Sequence, residues 1–304
     1  MTKALTVLCT ALLVLGSSTT AAARTRVLEP TSSWTVDYGD EKCSLLRDFG
    51  SLKDGLGLRI DSYGSLSTFQ LSAIGDRVPR PQLKLPVTRV GFALSSDGEL
   101  RRDVQALTGT IGDHRFVQFG LSFLPPESMP PPPVSARDLD QQVLAQGALV
   151  QVPDTQFEAR VNSLVLELRR GEQLELKTGP MAPALNALRT CVDDLRKSWG
   201  LDPAQQRAIT RQPYPPLEAV KAVQEDFPRE LGFRGINGFV PLRVMVDPTG
   251  VVTNCVVQLP DAPEPFRTAA CANLGSKFEP ALGDGGQPVD SFYQTSVIYL
   301  VSAF

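Results

Sequence analysis

Histidine is almost missing from this chain: His114 stands alone in 304 residues. A Ser-His-Asp or Cys-His mechanism would have to run through it, in the stretch GDHRF at a strand edge. A lone histidine in such a place reads as an ordinary surface residue. No G-x-S-x-G, P-loop, G-x-G-x-x-G or H-E-x-x-H motif occurs. There is no C-x-x-C either, so a redox dithiol has no motif and zinc ligands are scarce. Asp37 and Asp40, beside Tyr38, read as turn residues. Asp193 and Asp194 are neighbours on a helix, where adjacent side chains diverge rather than pair. No catalytic, cofactor-binding or metal-binding residue is expected, and no cofactor. The chain reads as non-enzymatic. The rival is an enzyme with its site near His114 or Asp37.

An excess of positive charge is also lacking. The chain carries 30 basic and 33 acidic side chains, a net −3. Nucleic acid needs concentrated Lys and Arg to neutralise phosphates, so it is not an expected partner. Long apolar runs are missing everywhere except the start. There Lys3 precedes an apolar run at 4–15, and small residues end at Ala21, Ala22 and Ala23. This reads as a secretory signal peptide, residues 1–23, cleaved after Ala23. The alternative is an uncleaved membrane anchor, but the run is short for a span of about 20 residues. Leu8 before Cys9 argues against a lipoprotein signal.

Beyond the signal four cysteines remain: Cys43, Cys191, Cys255 and Cys271. An even number in an exported chain reads as disulfides. Of three connectivities the spacing favours one. Cys255 on a strand and Cys271 on the following helix are brought together when the helix folds onto the sheet. A loop of that size stabilises by about 3 kcal/mol on the entropic account. Cys43 and Cys191 then close the first domain from its start to its last helix.

With 25 prolines and 24 glycines, more strand than helix is expected. A first domain, 24–202, holds short, partly alternating runs bounded by Gly, Pro, Asp and Ser. They fall at 33–39, 56–63, 69–74, 87–94, 115–124, 163–171 and 172–179, the last two joined as a hairpin. Two helices interrupt them. One spans 135–147, from a Ser135 cap to Gly147. The other spans 181–200, with Leu185, Leu188, Cys191, Val192, Leu195 and Trp199 on one stripe. PPESMPPPP, at 125–133, reads as a stiff polyproline-type surface loop rather than an SH3-type ligand. A second domain, 211–304, runs helix, strand, Asp247-Pro248-Thr249-Gly250 turn, strand, helix and closing strand. Its second helix, at 265–278, carries Phe266, Ala270, Leu274 and Phe278 at four-residue steps. The fold class is α+β: a β-rich N-terminal domain with one or two helices, then a ββαβ unit on an antiparallel sheet.

The second domain resembles the TonB C-terminal domain family. The residues that carry the likeness are FPRELGFRGINGFVPLRVMVDPTGVVTNCVV and FRTAACANLGSKFEPA. The family's aromatic-Pro pair falls on Phe227-Pro228, and its glycine before the first strand on Gly238. The turn glycine falls on Gly250, and the helix-ending aromatic-x-Pro on Phe278, Glu279 and Pro280. GQPV, at 286–289, sits where the family turns into its last strand. The cysteine pair looks like that of a subgroup. The resemblance implies a role in periplasmic energy transduction to outer-membrane receptors, in which the last strand accepts an extended receptor peptide by β-augmentation. Carried over, that edge is Gln294, Thr295, Ser296, Val297, Ile298, Tyr299 and Leu300. Expected partners are a periplasmic or outer-membrane protein or peptide, or a second copy through the same strand. The expected location is the periplasm, with an inner-membrane anchor as the alternative. A cleaved signal and a folded first domain depart from a TonB-type energy transducer, which keeps an anchor and a long Pro-rich spacer.

Overall fold

The computed structural model describes residues 24–51, 55–81, 87–95, 98–128, 150–169, 172–272, 274, 275 and 277–299. Signal residues 1–23, the helix expected at 135–147 and most of the proline-rich loop lie outside them. Pro126–Ser128, at the start of that loop, forms one 3₁₀ turn.

Among the described residues the N-terminal unit has eleven strands: β1 Arg24–Leu28, β2 Thr35–Tyr38, β3 Cys43–Phe49, β4 Leu56–Ser62, β5 Thr68–Ile74, β6 Val87–Leu94, β7 Glu99–Gln105, β8 Leu107–Ile111, β9 His114–Ser122, β10 Val161–Arg169 and β11 Glu172–Leu176. Helix α1, Thr155–Arg160, precedes β10, and α2, Met181–Ser198, follows β11. The strands form a six-stranded sheet, β2-β3-β4-β5-β9-β8, and a five-stranded sheet, β1-β11-β10-β6-β7. All neighbours are antiparallel except β1, which runs parallel to β11. The expected hairpin between β10 and β11 is present, with Arg169 opposite Glu172.

The two sheets share one core. Leu45, Ile60, Phe69, Leu71, Val117 and Phe119 from one meet Val90, Phe92, Leu164, Leu166 and Leu176 from the other. Phe92 touches both Phe123 and Phe157, which links strand β6 to helix α1. Helix α2 lays its stripe of Leu185, Leu188, Cys191, Val192 and Leu195 on the same core. Cys43 and Cys191 are bonded at the centre of that contact, across a separation of 148 residues. Glu158, fully buried on α1, is held by the Arg189 guanidinium of α2. A buried carboxylate is tolerated only with such a partner.

The C-terminal unit has its own core. Its elements are α3 Pro203–Arg207, α4 Leu217–Glu225, α5 Arg229–Phe233, β12 Gly238–Val246, β13 Val252–Val257, α6 Glu264–Ala272, β14 Ala281–Leu282, β15 Pro288–Val289 and β16 Ser291–Tyr299. The sheet order is β13-β12-β16. Val240, Leu242, Val244 and Val246 alternate along β12 and meet Phe266 and Ala270 of α6. Tyr299 stacks on Phe266 at 4.8 Å, and Phe227 stands edge-on to both rings. A Cβ at Gly238 would run into the Phe266 ring at 2.6 Å, so the strand must begin with glycine.

Helix α6 is shorter than its pattern implied. The run Phe266, Ala270, Leu274, Phe278 reads as continuous, but the helix ends at Ala272 and Gly275 takes φ +78°. Leu274 and Phe278 still enter the core. Phe278 gets there along extended backbone, donating its N–H to the Gly250 carbonyl at 2.8 Å. Gly250 itself sits at φ +84°, where a Cβ would strike the Phe278 carbonyl oxygen. Asp247 Oδ1 closes the preceding turn by accepting from the N–H groups of Thr249 and Val251. Cys255 and Cys271 tie β13 to α6, as their spacing implied.

The Tyr299 hydroxyl is buried without a partner. Burial, with help from Asp226, pushes its pKa up from 10.0 to about 12. The fold therefore favours the neutral phenol. That share of stability is intact below about pH 10 and is lost as pH climbs towards 12. Tyr299→Phe should flatten this part of the alkaline unfolding curve and raise stability at pH 7 by about 1 kcal/mol, because an unpaired buried hydroxyl is removed. Urea midpoints at pH 7 and across the alkaline range check both. A less stable variant would show that the hydroxyl is paired in solution.

Candidate functional site: a bare sheet edge and the seam beside it

β16 pairs along its whole length with β12, from Gly238 opposite Tyr299 to Val246 opposite Ser291. On its other side no strand pairs with it among the described residues. Unpaired edges attract other strands, and proteins normally blunt them with charge, proline or a bulge. The sequence of β16, SFYQTSVIY, has no charge and no proline. The opposite edge, β13, is blunted by an irregular register at Val252 and by its tether to α6.

One proline shows which groups face out. Pro241 lies in the central strand, where a missing N–H normally breaks a ladder. Its carbonyl accepts from the Gln258 N–H at 2.9 Å, so its main-chain groups point towards β13. Directions alternate along a strand, so Leu242 points to β16 and pairs there with Thr295. It follows that Ser291, Tyr293, Thr295, Val297 and Tyr299 serve the ladder to β12. Gln294, Ser296 and Ile298 turn their N–H and C=O groups to the open side. Of the seven residues expected to form the edge, these three offer the outward pairing groups. Leu300 lies outside the described residues.

Side chains divide differently. Tyr293, Val297 and Tyr299 face the helices, whereas Phe292, Gln294, Ser296 and Ile298 lie on the far face, opposite Met245, Arg243, Pro241 and Phe239. The N-terminal unit covers part of that far face, around Arg243 and Phe292. Arg243 is 5% exposed and donates to both oxygens of Glu41, at 2.9 and 3.0 Å. Its guanidinium also lies 4.2 Å from the centre of the Trp199 ring, a stacked cation–π contact. Gln258 donates to the Glu41 and Tyr63 carbonyls. Trp199 meets Phe292 edge-on at 5.3 Å, and Arg196 lies over the same ring at 5.4 Å. Arg196 also donates to the Gly64 carbonyl, and burial pulls its pKa down to about 10. Gly64 takes φ +110°, and a Cβ there would lie 2.9 Å from both Phe292 and Trp199. Gln206 of α3 accepts from the Ser291 hydroxyl and donates to the Asp290 carbonyl.

The seam was not legible as such. Arg243 and Gln258 are internal only through partners some 200 positions away in the chain. Trp199, expected on the packed stripe of α2, is only partly buried against the N-terminal core and so is left to serve the seam.

The enzyme candidates fare separately. His114 is exposed and lines a shallow cleft of about 1000 Å³ with Arg47, Arg59, Arg77, Asp76 and Glu172. Arg47 there donates to the Ser32 and Thr178 carbonyls, and Arg77 faces Glu172 at 3.7 Å. Ser32 accepts from the Asp48 N–H. These groups hold strands together rather than converge on a reacting atom. Asp37 is exposed on β2, outside the cleft. Asp193 and Asp194 diverge, one to Arg207 and the other to Lys197. Among the described residues there is no cluster of three potential metal ligands, and no helix is long and apolar enough to cross a membrane.

Glu41→Ala should leave Arg243 buried without its carboxylate and cost about 1.5–3 kcal/mol, the range for a hydrogen bond to a charged group. The loss should come with a red shift of Trp199 emission. Unchanged stability and emission would mean that the seam does not persist in solution.

A family model described as Gram-negative bacterial TonB protein C-terminal matches residues 223–300, from within α4 through the end of β16. No curated protein and no solved structure matches the chain.

Proposed function

Residues 223–300 form a TonB C-terminal domain, and on that premise we propose that the chain is an exported, non-enzymatic envelope protein that binds an extended peptide segment on β16. Domains of this family interact with outer-membrane proteins. The observation that carries the reading is the bare edge: nine residues without charge or proline, with Gln294, Ser296 and Ile298 turned outward. Main-chain hydrogen bonds would supply affinity, and the alternating side chains selectivity. The partner we propose is a periplasmic or outer-membrane protein. The location we propose is the periplasm, after cleavage following Ala23.

Proline scanning of the edge tests this. Ser296→Pro removes an outward donor and leaves the β12 ladder whole. Thr295→Pro and Val297→Pro remove ladder donors and should unfold the domain. Randomised twelve-residue peptides displayed on phage and captured by the mature chain should be lost with Ser296→Pro, which stays folded. Capture that survives in folded Ser296→Pro would overturn the edge reading. Capture of the chain by itself, with concentration-dependent mass, would identify a second copy as the occupant.

Intact mass tests the export. A soluble species starting at Arg24 and lighter by the four hydrogens of two disulfides is expected. A membrane species that retains residues 1–23 would replace this reading with a TonB-type energy transducer.

A further inference from the structure

We propose that the Cys43–Cys191 bond is a redox gate on docking: the two units close on each other only when it is formed. The gate is independent of what β16 binds. Every group that the N-terminal unit gives to the seam stands close to this bond along the chain. Glu41 lies two residues before Cys43. Tyr63 and Gly64 follow Ser62, the register partner of Cys43. Arg196 and Trp199 follow Cys191 within about two turns of α2 and its cap.

The two sides of the seam are not held equally well. The strand side is fixed without the bond. Asp61, fully buried, accepts from Ser44 at 2.6 Å and from Lys42 at 3.1 Å, which pins the turn that carries Glu41. The first half of α2 is fixed too, because Arg189 pairs with Glu158 and donates to the Leu66 carbonyl. The second half has Val192 and Leu195 in the core, and the bond itself. The bond therefore sets where Arg196 and Trp199 stand relative to Glu41. Gains and losses oppose each other across the seam. Arg243 gains a carboxylate and a ring, but Arg196 Nη1, Trp199 Nε1 and Gln258 Oε1 are buried without partners. Each of those gives up a hydrogen bond that water supplies when the units part. Such a contact closes only if its two sides are held at the right spacing beforehand.

Both sulfurs are enclosed, with Cys43 at 0% and Cys191 at 1% exposure, so a thiol reaches them only after this part of the structure opens. Closing the bond passes two electrons and two protons from the thiols to a disulfide oxidant, which leaves as a dithiol. The chain reaches its docked form only where such an oxidant is present. The second bond has no such control. Cys255 and Cys271 are half-buried, and Cys255 pairs with Val244 on the helix face, away from the seam.

Coupling is reciprocal: a bond that favours docking is protected by docking to the same degree. Arg243→Met tests this from the far unit. It removes the cation held by Glu41 and Trp199 and leaves an apolar side chain, a replacement that a buried site tolerates. The mature chain is equilibrated in dithiothreitol redox buffers of graded ratio, quenched and alkylated, and each bond is read by peptide mass. In Arg243→Met, Cys43–Cys191 should be reduced under conditions at least about fivefold milder than in the wild-type chain, the lower end of such couplings. Cys255–Cys271, in the same unit as the substitution, should not move. Cys43→Ala/Cys191→Ala gives the converse. In a Trp34→Phe background, Trp199 emission should shift to the red and no longer respond to Glu41→Ala. An unmoved Cys43–Cys191 midpoint in Arg243→Met would overturn the gate, whether or not the double-cysteine variant folds. So would both bonds shifting together, which reports general loosening, or wild-type emission from a folded double-cysteine variant.

Discussion

Arg243 lies in the middle of a three-stranded sheet, where a guanidinium is tolerated only if a carboxylate and a polarisable face are brought to it. Both come from the other unit. Glu41 stands in the turn after β2, and Trp199 closes α2. These two positions are locked to each other by the Cys43–Cys191 bond, which joins the strand two residues past Glu41 to the helix eight residues before Trp199. The disulfide thus spaces the jaws, and the jaws hold the cation. Everything else in the seam depends on that grip, including the glycine clearance at Gly64 and the cover over Phe292.

The contacts that join the units differ in kind from those inside them. Each core is aliphatic and aromatic. The seam is made of an ion pair, ring contacts and amide hydrogen bonds, and it contains buried polar atoms without partners: Arg196 Nη1, Trp199 Nε1 and Gln258 Oε1. Such groups recover hydrogen bonds in water when surfaces part, so a polar seam is separable in a way an apolar core is not. Folding of each unit and docking between them are distinct layers of the structure.

Local chemistry made much of this readable in sequence. The α2 stripe, the Asp247–Gly250 turn and the Cys255–Cys271 spacing are short-range patterns, and each has its structural counterpart. The stretches that escaped are those whose meaning comes from distant chain. β7, ELRRDVQ, carries charge at four of its seven positions and lies outside the expected strand runs; its pairing with β6 makes it a strand. β1 takes its place beside β11, which lies some 150 residues further on. Helix α6 looked two turns too long because Leu274 and Phe278 kept helical spacing for a reason other than helix. The edge of β16 was visible as a strand, but its outward half was not. Only the Pro241 carbonyl, through its bond to Gln258, reveals which amides are spare.

The Cys43–Cys191 bond also limits extensibility. It encloses 148 residues in one covalent loop, roughly 500 Å of contour at full extension that a pull on the chain ends cannot release. Load applied at β16 reaches the N-terminal unit along two routes, through the backbone and α3 or sideways through Arg243 and Trp199. On either route the strands between the two cysteines are bypassed. While the bond is oxidised, the molecule is a short, stiff tether. Reduced, the same polypeptide could pay out most of its length.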